Sequence, residues 1–387
     1  IKLTPSVFDA GCGLSMLVYP TLGWCEYPNL YPVSYFPIDE AIRDLVRLNL
    51  SLALHKGSDE FIMEDSIDAV VVHYNRTDLT TRCIEALSRD EGPLRTVTII
   101  DSGSTTPIGD QQLKEWGRLL SRKNGSSPPI GFFFESLREN VGFAGANNHG
   151  LYRRLPDGAG FFLVINNDAY VEPSALSEML GAAIKTGAAM IAPAVYRANE
   201  PGQIDRFGLT LTKTGSGYDR RHDADGPLLC PSGCAALYRR DLVIDLMGDP
   251  EGFFDRRFEA YAEDLDVGLR ARTRGYSVAF ASAATILHEG GATFGPSSPR
   301  SYFLRHRNTI WTIAKNFSLD LIVTFSFSLL IGQVAGLANA VRRGRFKAVV
   351  KGKFEGVRAW SSFRRENGYS PRFSDPNLLD QRLWIKR

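Results

Sequence analysis

The segment GFFLVINNDA, residues 160–169, indicates both the fold and the position of a site. Its first part, 160–165, is a short apolar run typical of a strand that is buried on both faces. Asn166, Asn167 and Asp168 follow at once. Carboxylate and amide oxygens are the ligands that Mg²⁺ prefers. An ordinary turn at the end of a strand would use the same residue types, so both interpretations stay open here.

Four more apolar runs predict strands on either side of this segment, at residues 67–73, 95–100, 131–135 and 188–195. Helical patterns lie between several of them; after the first strand, for example, Leu79, Cys83 and Leu87 share one face. Alternating strands and helices predict an α/β fold with a mostly parallel, Rossmann-like sheet and helices on both faces.

Polar residues follow three of the predicted strands. Tyr74, Asn75 and Arg76 come after the first, Asp101 begins the polar run after the second, and Asp168 lies beyond the fourth. Ligands of open α/β sheets bind outside the carboxyl ends of the strands. We therefore expect these side chains to lie at one edge of the sheet, in a binding site.

A glycine-containing loop lies between the third and fourth strands, in the sequence NVGFAGAN at residues 140–147. Two glycines three residues apart let the backbone approach a ligand, and the start of a helix near Gly145 favours an anion. The pattern lacks the third glycine of the dinucleotide fingerprint. A simple loop leading into a helix is the alternative.

Two further motifs carry candidate chemistry. Leu265 and Leu269 mark a helix face, which puts Glu263 and Asp264 in the first turn, where the helix dipole favours ionised carboxylates. Asp264 is a candidate general base, and helix capping is the alternative. His288 enters a glycine-rich loop and could bind a metal through a neutral ring nitrogen, although a lone histidine is more often an ordinary surface or core residue.

In this order, the motifs resemble those of glycosyltransferase family 2, whose members have the GT-A fold, over about Ile67 to Asn316. The resemblance implies a role for each matching residue. It implies nucleotide-sugar binding by Tyr74, Asn75, Arg76, Asp101, Asn140, Gly142, Phe143, Asn147 and Asn167, metal binding by Asp168 and His288, and catalysis by Asp264 with Glu263.

The resemblance also implies an inverting transfer, assisted by Mg²⁺ or Mn²⁺, from a nucleotide-diphosphate donor (dTDP-rhamnose or a UDP-sugar) to a hydroxyl of a glycan or lipid-linked acceptor. One departure is that Asn166 stands where the family's metal motif begins with Asp. This Asn-Asn-Asp form is most similar to rhamnosyltransferases of cell-envelope polysaccharide synthesis.

Two other classes remain open from the residues. A sugar-nucleotide nucleotidyltransferase would be expected to begin with a glycine-rich phosphate loop, and residues 73–76 contain no glycine. A non-catalytic nucleotide-sugar-binding relative would have little reason to keep both Asp264 and His288.

Composition and charge divide the chain into three predicted regions: an N-terminal accessory segment (1–66), a GT-A catalytic domain (67–300) and a helical, basic C-terminal region (301–387). The net charge of +2 gives no reason to expect a nucleic-acid partner, and a homo-oligomer is possible. Five irregularly spaced cysteines argue against a disulfide framework and favour a reducing compartment.

The C-terminal region contains an uncharged stretch, 321–341, followed by six cations within Arg342–Lys353. A single span with this basic flank inside would place the catalytic body outside, away from cytoplasmic nucleotide sugars. We therefore expect 321–353 to lie on an anionic membrane surface, with the protein cytoplasmic and peripheral at the inner face of the cell membrane. Burial of the stretch and a true span are the alternatives.

Overall fold

The computed structural model describes residues 6–9, 15–18, 63–121, 129–222, 225–290, 298–366 and 372–382. The chain forms two units, Ile1–Ser58 and Asp59–Arg387. In the first unit, strands β1 (Ser6–Asp9) and β2 (Ser15–Val18) pair in antiparallel fashion. Most of the predicted accessory segment, 1–66, lies outside the described residues, and the division into three regions stays a prediction.

The second unit alternates strands and helices. Its strands are β3 (Met63–His73), β4 (Leu94–Asp101), β5 (Gly131–Ser136), β6 (Ala159–Asn166), β7 (Ala169–Val171), β8 (Met190–Arg197), β9 (Ile204–Arg206), β10 (Leu209–Leu211), β11 (Gly217–Asp219), β12 (Ala235–Arg239) and β13 (Val278–His288). Its helices are α1 (Thr77–Arg89), α2 (Asp110–Ser121), α3 (Gly142–Arg154), α4 (Ala175–Thr186), α5 (Arg240–Met247), α6 (Glu263–Thr273), α7 (Pro299–Asn316), α8 (Leu319–Thr324), α9 (Ser326–Arg342), α10 (Phe346–Arg358) and α11 (Trp360–Glu366).

Nine of the described strands form one sheet in the order β5-β4-β3-β6-β12-β8-β13-β7, with β9 paired to β8. The pairs β3–β4, β3–β6, β4–β5 and β8–β13 are parallel. Strand β12 runs antiparallel to both of its neighbours, β6 and β8, which the sequence did not predict. The predicted mostly parallel sheet is confirmed.

Helices cover both faces of the sheet because successive residues of a buried strand point to opposite sides. Val71 belongs to a core formed with α1, α2 and α4, whereas Val70 belongs to a second core formed with α3, α5 and α6. This two-sided burial explains why the strands are apolar throughout rather than alternating.

The uncharged stretch 321–341 does not form one helix. It begins within α8, breaks at Phe325 and continues in α9. In the parts of the chain that the structure describes, no helix is both long and apolar enough to cross a membrane.

The C-terminal segment, residues 372–382, returns to the sheet-containing body. The amide of Phe373 donates to the carbonyl of Asn316 at 2.8 Å, and the amide of Asp380 donates to the carbonyl of Leu211 at 2.8 Å. Phe373 and Leu379 are buried in the same core as Val70. Residues on both sides of the predicted boundary at 300 therefore share one core.

Candidate active site

Residues after β3 connect two strand ends. The backbone of Asn75 has a φ of +58°, in the left-handed region that Asn adopts more readily than most residues with a Cβ. Its amide donates to Ser104 Oγ at 2.8 Å, and its Oδ1 accepts from the amide of Thr105 at 2.8 Å. Tyr74 is half-buried and Arg76 is exposed. The two strand ends are thereby held side by side, as expected from the sheet topology.

Asp101 ends β4 and is almost fully buried. Its Oδ1 accepts from Ser104 Oγ at 2.6 Å, and its Oδ2 accepts from Ser136 Oγ at 2.9 Å. The carboxylate therefore joins the ends of β4 and β5. A nucleotide that reached Asp101 would share it with these two hydroxyls.

The glycine-containing loop becomes the start of α3, three residues earlier than predicted. Asn140 Oδ1 accepts from the amide of Gly142 at 2.8 Å, and Gly142 has a φ of +72°. The ring of Phe143 packs edge-on against Phe254, with 5.4 Å between centroids. A Cβ at Gly233 would lie 3.2 Å from the Phe143 ring, so the backbone of residue 233 passes close to the start of α3.

Two adjacent asparagines of α3 have different surroundings. Asn147, the predicted site residue, donates to the carbonyl of Phe143 at 3.0 Å, and its buried Oδ1 has no partner among the described residues. Asn148 was not predicted. Its amide group exchanges two hydrogen bonds of 2.8 Å with the backbone of Phe254, which ties α3 to the loop before α6.

Strand β6 ends at the predicted metal motif, residues 166–168. The amide of Asn166 donates to the carbonyl of Cys234 at 2.9 Å. Asn167 turns toward α1 and donates to Thr80 Oγ1 at 3.1 Å. Asp168 is buried, and its Oδ1 lies 3.5 Å from Nε2 of His288 at the end of β13.

The ring of His288 is held from its other side by a residue that the sequence did not suggest. Its Nδ1 lies 2.9 Å from Oδ2 of Asp205, on the three-residue strand β9. Burial opposes protonation of this ring, but hydrogen bonds to Asp168 and Asp205 outweigh it and raise the pKa of His288 to about 10. A carboxylate on Nδ1 is the arrangement that orients a metal-binding histidine, and a metal at Nε2 would displace the proton that this nitrogen shares with Asp168.

Asp168 and His288 fit an ion that is shared with a diphosphate. Mg²⁺ commonly takes one or two protein carboxylates and completes its shell with phosphate oxygens and water. In the described part of the chain, no group of three or more His, Cys, Asp or Glu side chains could hold a metal. The donor set thus suits an open site rather than a cage made by protein alone.

Asp264 lies in the first turn of α6, as predicted, with its carboxylate oriented by backbone groups. Its Oδ2 accepts from the amide of Gly233 at 3.0 Å and its Oδ1 from the amide of Leu265 at 2.9 Å. Burial raises the pKa of Asp264 above its ordinary value, and these two hydrogen bonds act in the opposite direction. Desolvation is the larger of these effects.

Glu263 is buried beside it, and its Oε2 has no partner among the described residues. Burial, followed by the negative charge of Asp264, raises the pKa of Glu263 to about 8. Both carboxyl groups therefore hold a proton more tightly than in water, and Asp264, whose ionised form is stabilised by two backbone amides, is the candidate proton acceptor of the pair.

The loop before α6 is strained. Glu259, Tyr261 and Ala262 have φ values of +65°, +68° and +74°, a region that residues with a Cβ seldom occupy. Asn308 of α7 holds this loop through its buried amide group. Its Nδ2 donates to the carbonyl oxygens of Phe258 at 2.9 Å, Ala260 at 2.9 Å and Tyr261 at 2.7 Å.

Helix α7 also places a buried cation beneath α6. Lys315 Nζ lies 2.7 Å from Glu251, 2.9 Å from Asp255 and 2.9 Å from Asp266. A buried charge is retained at low cost only when it is paired. Lys315 and Asn308 thus fix α6 and its preceding loop, and neither was predicted as part of the site.

One loop, residues 232–234, connects the two candidate centres. Ser232 Oγ accepts from Arg206, at 3.3 Å, and Arg206 pairs with Asp205 beside His288. The next residue, Gly233, donates to Asp264, as described above. The histidine–carboxylate pair and the candidate base are therefore positioned by adjacent residues of the same loop.

The fold resembles that of solved glycosyltransferase structures. GalNAc-T7 with UDP, GalNAc and Mn²⁺ matches with a TM-score of 0.52 and 10% identity, over 81% of this chain and 59% of that chain. The mannosyltransferase PcManGT from Pyrobaculum calidifontis, in complex with GDP-Man and Mn²⁺, matches with a TM-score of 0.47 and 14% identity, over 86% and 93%. S. aureus TarS matches with a TM-score of 0.45 and 14% identity, over 81% and 59%. At these identities the likeness concerns the fold.

Sequence comparison adds the family. No curated protein matches the chain. Residues 68–247 match the model of Glycosyl transferase family 2, a range that runs from β3 through α5 and contains Asp101, the glycine-containing loop and Asp168. Residues 68–247, a little under half of the chain, are therefore similar to glycosyl transferase family 2, and the fold around them is GT-A-like.

Proposed function

We propose that this chain is a glycosyltransferase of family 2, which moves a sugar from a nucleoside-diphosphate donor to an acceptor hydroxyl by a single inverting displacement. The observation that carries the proposal is the loop 232–234. It connects Asp264, a carboxylate aligned by two backbone amides, with the Asp168–His288 pair through adjacent residues. A proton acceptor and a diphosphate-binding pair, here both linked by hydrogen bonds to one loop, are the two components that such a displacement needs.

The donor would bind across the carboxyl ends of β3, β4 and β6, with the start of α3 and Phe143 beside it. Asp168 and His288 would hold Mg²⁺ or Mn²⁺, which neutralises charge on a diphosphate leaving group when bound. The GalNAc-T7 structure contains UDP and Mn²⁺. We propose that this chain also binds a divalent metal, because of the arrangement of Asp168, His288 and Asp205.

Asp264 would take the proton of the attacking hydroxyl. Each of its oxygens accepts one backbone hydrogen bond and keeps a second lone pair for the acceptor. The raised pKa of Asp264 makes it a stronger base than a solvated carboxylate. Glu263, protonated at pH 7, would add no negative charge that repels the donor phosphates.

The narrower proposals concern donor, acceptor and location. The Asn-Asn-Asp form at residues 166–168 is the sole support for dTDP-rhamnose over a UDP-sugar and for a cell-envelope acceptor. A cytoplasmic location and a homo-oligomer stay predictions.

The test is sugar transfer and donor hydrolysis across a panel of nucleotide sugars, with Mg²⁺ and with Mn²⁺, for the native chain and Asp264→Asn. We expect turnover of the variant to fall by about 10²–10⁴ with donor affinity nearly unchanged. Asp110→Asn is the matched control, because Asp110 is an exposed acid in the first turn of another helix, α2.

Equal turnover of the native chain and Asp264→Asn would remove Asp264 from the mechanism. Nucleotide binding without transfer or hydrolysis of any donor would instead indicate a non-catalytic relative.

A further inference from the structure

Helices α9 and α10 expose large apolar side chains that a soluble surface rarely shows in such density. On α9 these are Phe327 (73% exposed), Leu330 (61%), Val334 (57%) and Val341 (63%), and on α10 they are Phe346 (49%), Val350 (41%), Phe354 (67%) and Val357 (64%). The preceding helix α8 adds Leu319 (67%) and Val323 (71%). We name the eight residues of α9 and α10 the apolar face.

These residues form a stripe on each helix. At 3.6 residues per turn, the apolar face occupies about a quarter of the circumference of α9 and of α10. Other residues of these helices pack on the body: Leu329 and Ala340 of α9 and Val349 of α10 are buried. The apolar face is therefore not the side that builds the core.

The two stripes lie next to each other. Gln333 of α9 and Lys353 of α10 are hydrogen-bonded between the helices. On each helix the apolar stripe lies on the outward side of that contact, as helical spacing places it. The two stripes therefore flank this contact between the helices.

Cations surround this surface. Arg342, Arg343 and Lys347 are exposed at the turn between the helices, and Lys351 is exposed one turn further along α10. Between residues 321 and 358 the only acid is Glu355. Glu355 lies 3.9 Å from Lys351, so one of these cations has a partner on its own helix. Apolar side chains flanked by an excess of Lys and Arg are the pattern of helices that lie in the headgroup region of an anionic bilayer.

We propose that the apolar face and its flanking cations dock the protein on an anionic lipid surface, with α9 and α10 parallel to the membrane. A second copy of the chain is a poorer occupant, because a symmetric dimer would bring these cations against their own counterparts. The proposal does not depend on the transferase activity, since it uses no residue of the candidate active site.

The experiment is co-sedimentation of the full chain with vesicles of phosphatidylcholine alone or mixed with phosphatidylglycerol, at low and at high salt. We expect binding to the anionic vesicles only, reduced at high salt because the charge attraction is screened. Phe327→Ser with Phe354→Ser, and separately Lys347→Gln with Lys351→Gln, should each weaken binding by about tenfold or more. Unchanged thermal unfolding will show that these variants are folded.

Ile184→Ser is the matched control, because Ile184 on α4 is an equally exposed apolar residue (61%) outside the apolar face. It should bind like the native chain. Equal binding to both kinds of vesicle, or retention through high-salt and alkaline washes, would overturn docking by this charged surface. Absence of vesicle binding would also overturn it, and a concentration-dependent dimer lost in the Phe variant would then assign the face to a second copy.

Discussion

The hydrogen bonds from Asn308 to the loop before α6 lead to a prediction about stability whose magnitude follows from the structure. Asn308 is fully buried, and its two N–H groups are shared among three carbonyl oxygens at 2.7 to 2.9 Å. A hydrogen bond of this kind contributes about 1 kcal/mol net, and the buried carbonyls left behind add a penalty. Asn308→Ala should therefore lower the free energy of unfolding by about 2–4 kcal/mol.

The same substitution should also reduce turnover. Three residues with positive φ store strain of about 1–2 kcal/mol each, which is comparable to what the hydrogen bonds of Asn308 supply. Without Asn308 the loop would relax, and Asp264 would leave its position against Gly233. Ala262→Gly removes the Cβ at one strained position, where φ is +74°, so it should add about 1 kcal/mol of stability to the native chain and less to the Asn308→Ala chain, whose loop has relaxed.

The assays are urea unfolding for stability and single-turnover transfer for catalysis, on the native chain, both single variants and the double variant. Loss of stability in Asn308→Ala with an unchanged rate of transfer would refute the connection between this loop and the base. If Ala262→Gly stabilised neither background, the strain assigned to the loop would be wrong.

Other expected outcomes concern the metal, the nucleotide and the buried acid. Activity should vanish in EDTA and return with Mg²⁺ or Mn²⁺, and full activity in chelator would leave Asp168 as a turn residue. Asp205→Asn should weaken metal affinity by about 10–100-fold in calorimetry, because the His288 ring would lose its orienting carboxylate. Asp101→Ala should weaken binding of UDP or dTDP, and unchanged affinity for both would place the nucleotide elsewhere. In the unfolded chain Glu263 loses its proton near pH 4.3, but in the folded chain only near pH 8. As the pH rises between these values, the free energy of unfolding should therefore fall by up to about 1.4 kcal/mol per pH unit. Glu263→Gln should lack that fall in denaturant titrations, and an equal slope in both chains would contradict the raised pKa.

The sheet and the histidine–carboxylate pair could be predicted from sequence because each depends on a local pattern. Apolar runs mark β3 and β6, and the rule that ligands gather at the carboxyl ends of strands leads from β6 to Asp168. His288 was suggested by the resemblance, at the entry to a glycine-rich loop, and the structure places its ring 3.5 Å from Asp168; metal binding by the two stays a prediction.

The supporting residues could not be predicted because their roles depend on contacts distant in sequence. Asp205 lies on a strand of three residues, too short for periodicity to reveal. Lys315 has the same appearance in sequence as a surface lysine, and only its burial among three acids identifies it. Asn308 acts on a loop 47 or more residues earlier in the chain.

The position of α7 after α6 in the chain has a consequence for biosynthesis. Glu251, Asp255 and Asp266 leave the ribosome before Lys315, the cation on which all three converge. Until Lys315 arrives, Asp255 and Asp266 have Arg257 and Arg270 as partners, but burying the three acids together would leave part of their mutual repulsion uncompensated. Asn308 is delayed in the same way relative to the strained loop. The proposed catalytic base can therefore reach its final geometry only after α7 has been synthesised and has docked. The last strand of the sheet, β13, ends before α7 begins, so the sheet can form before the active site does.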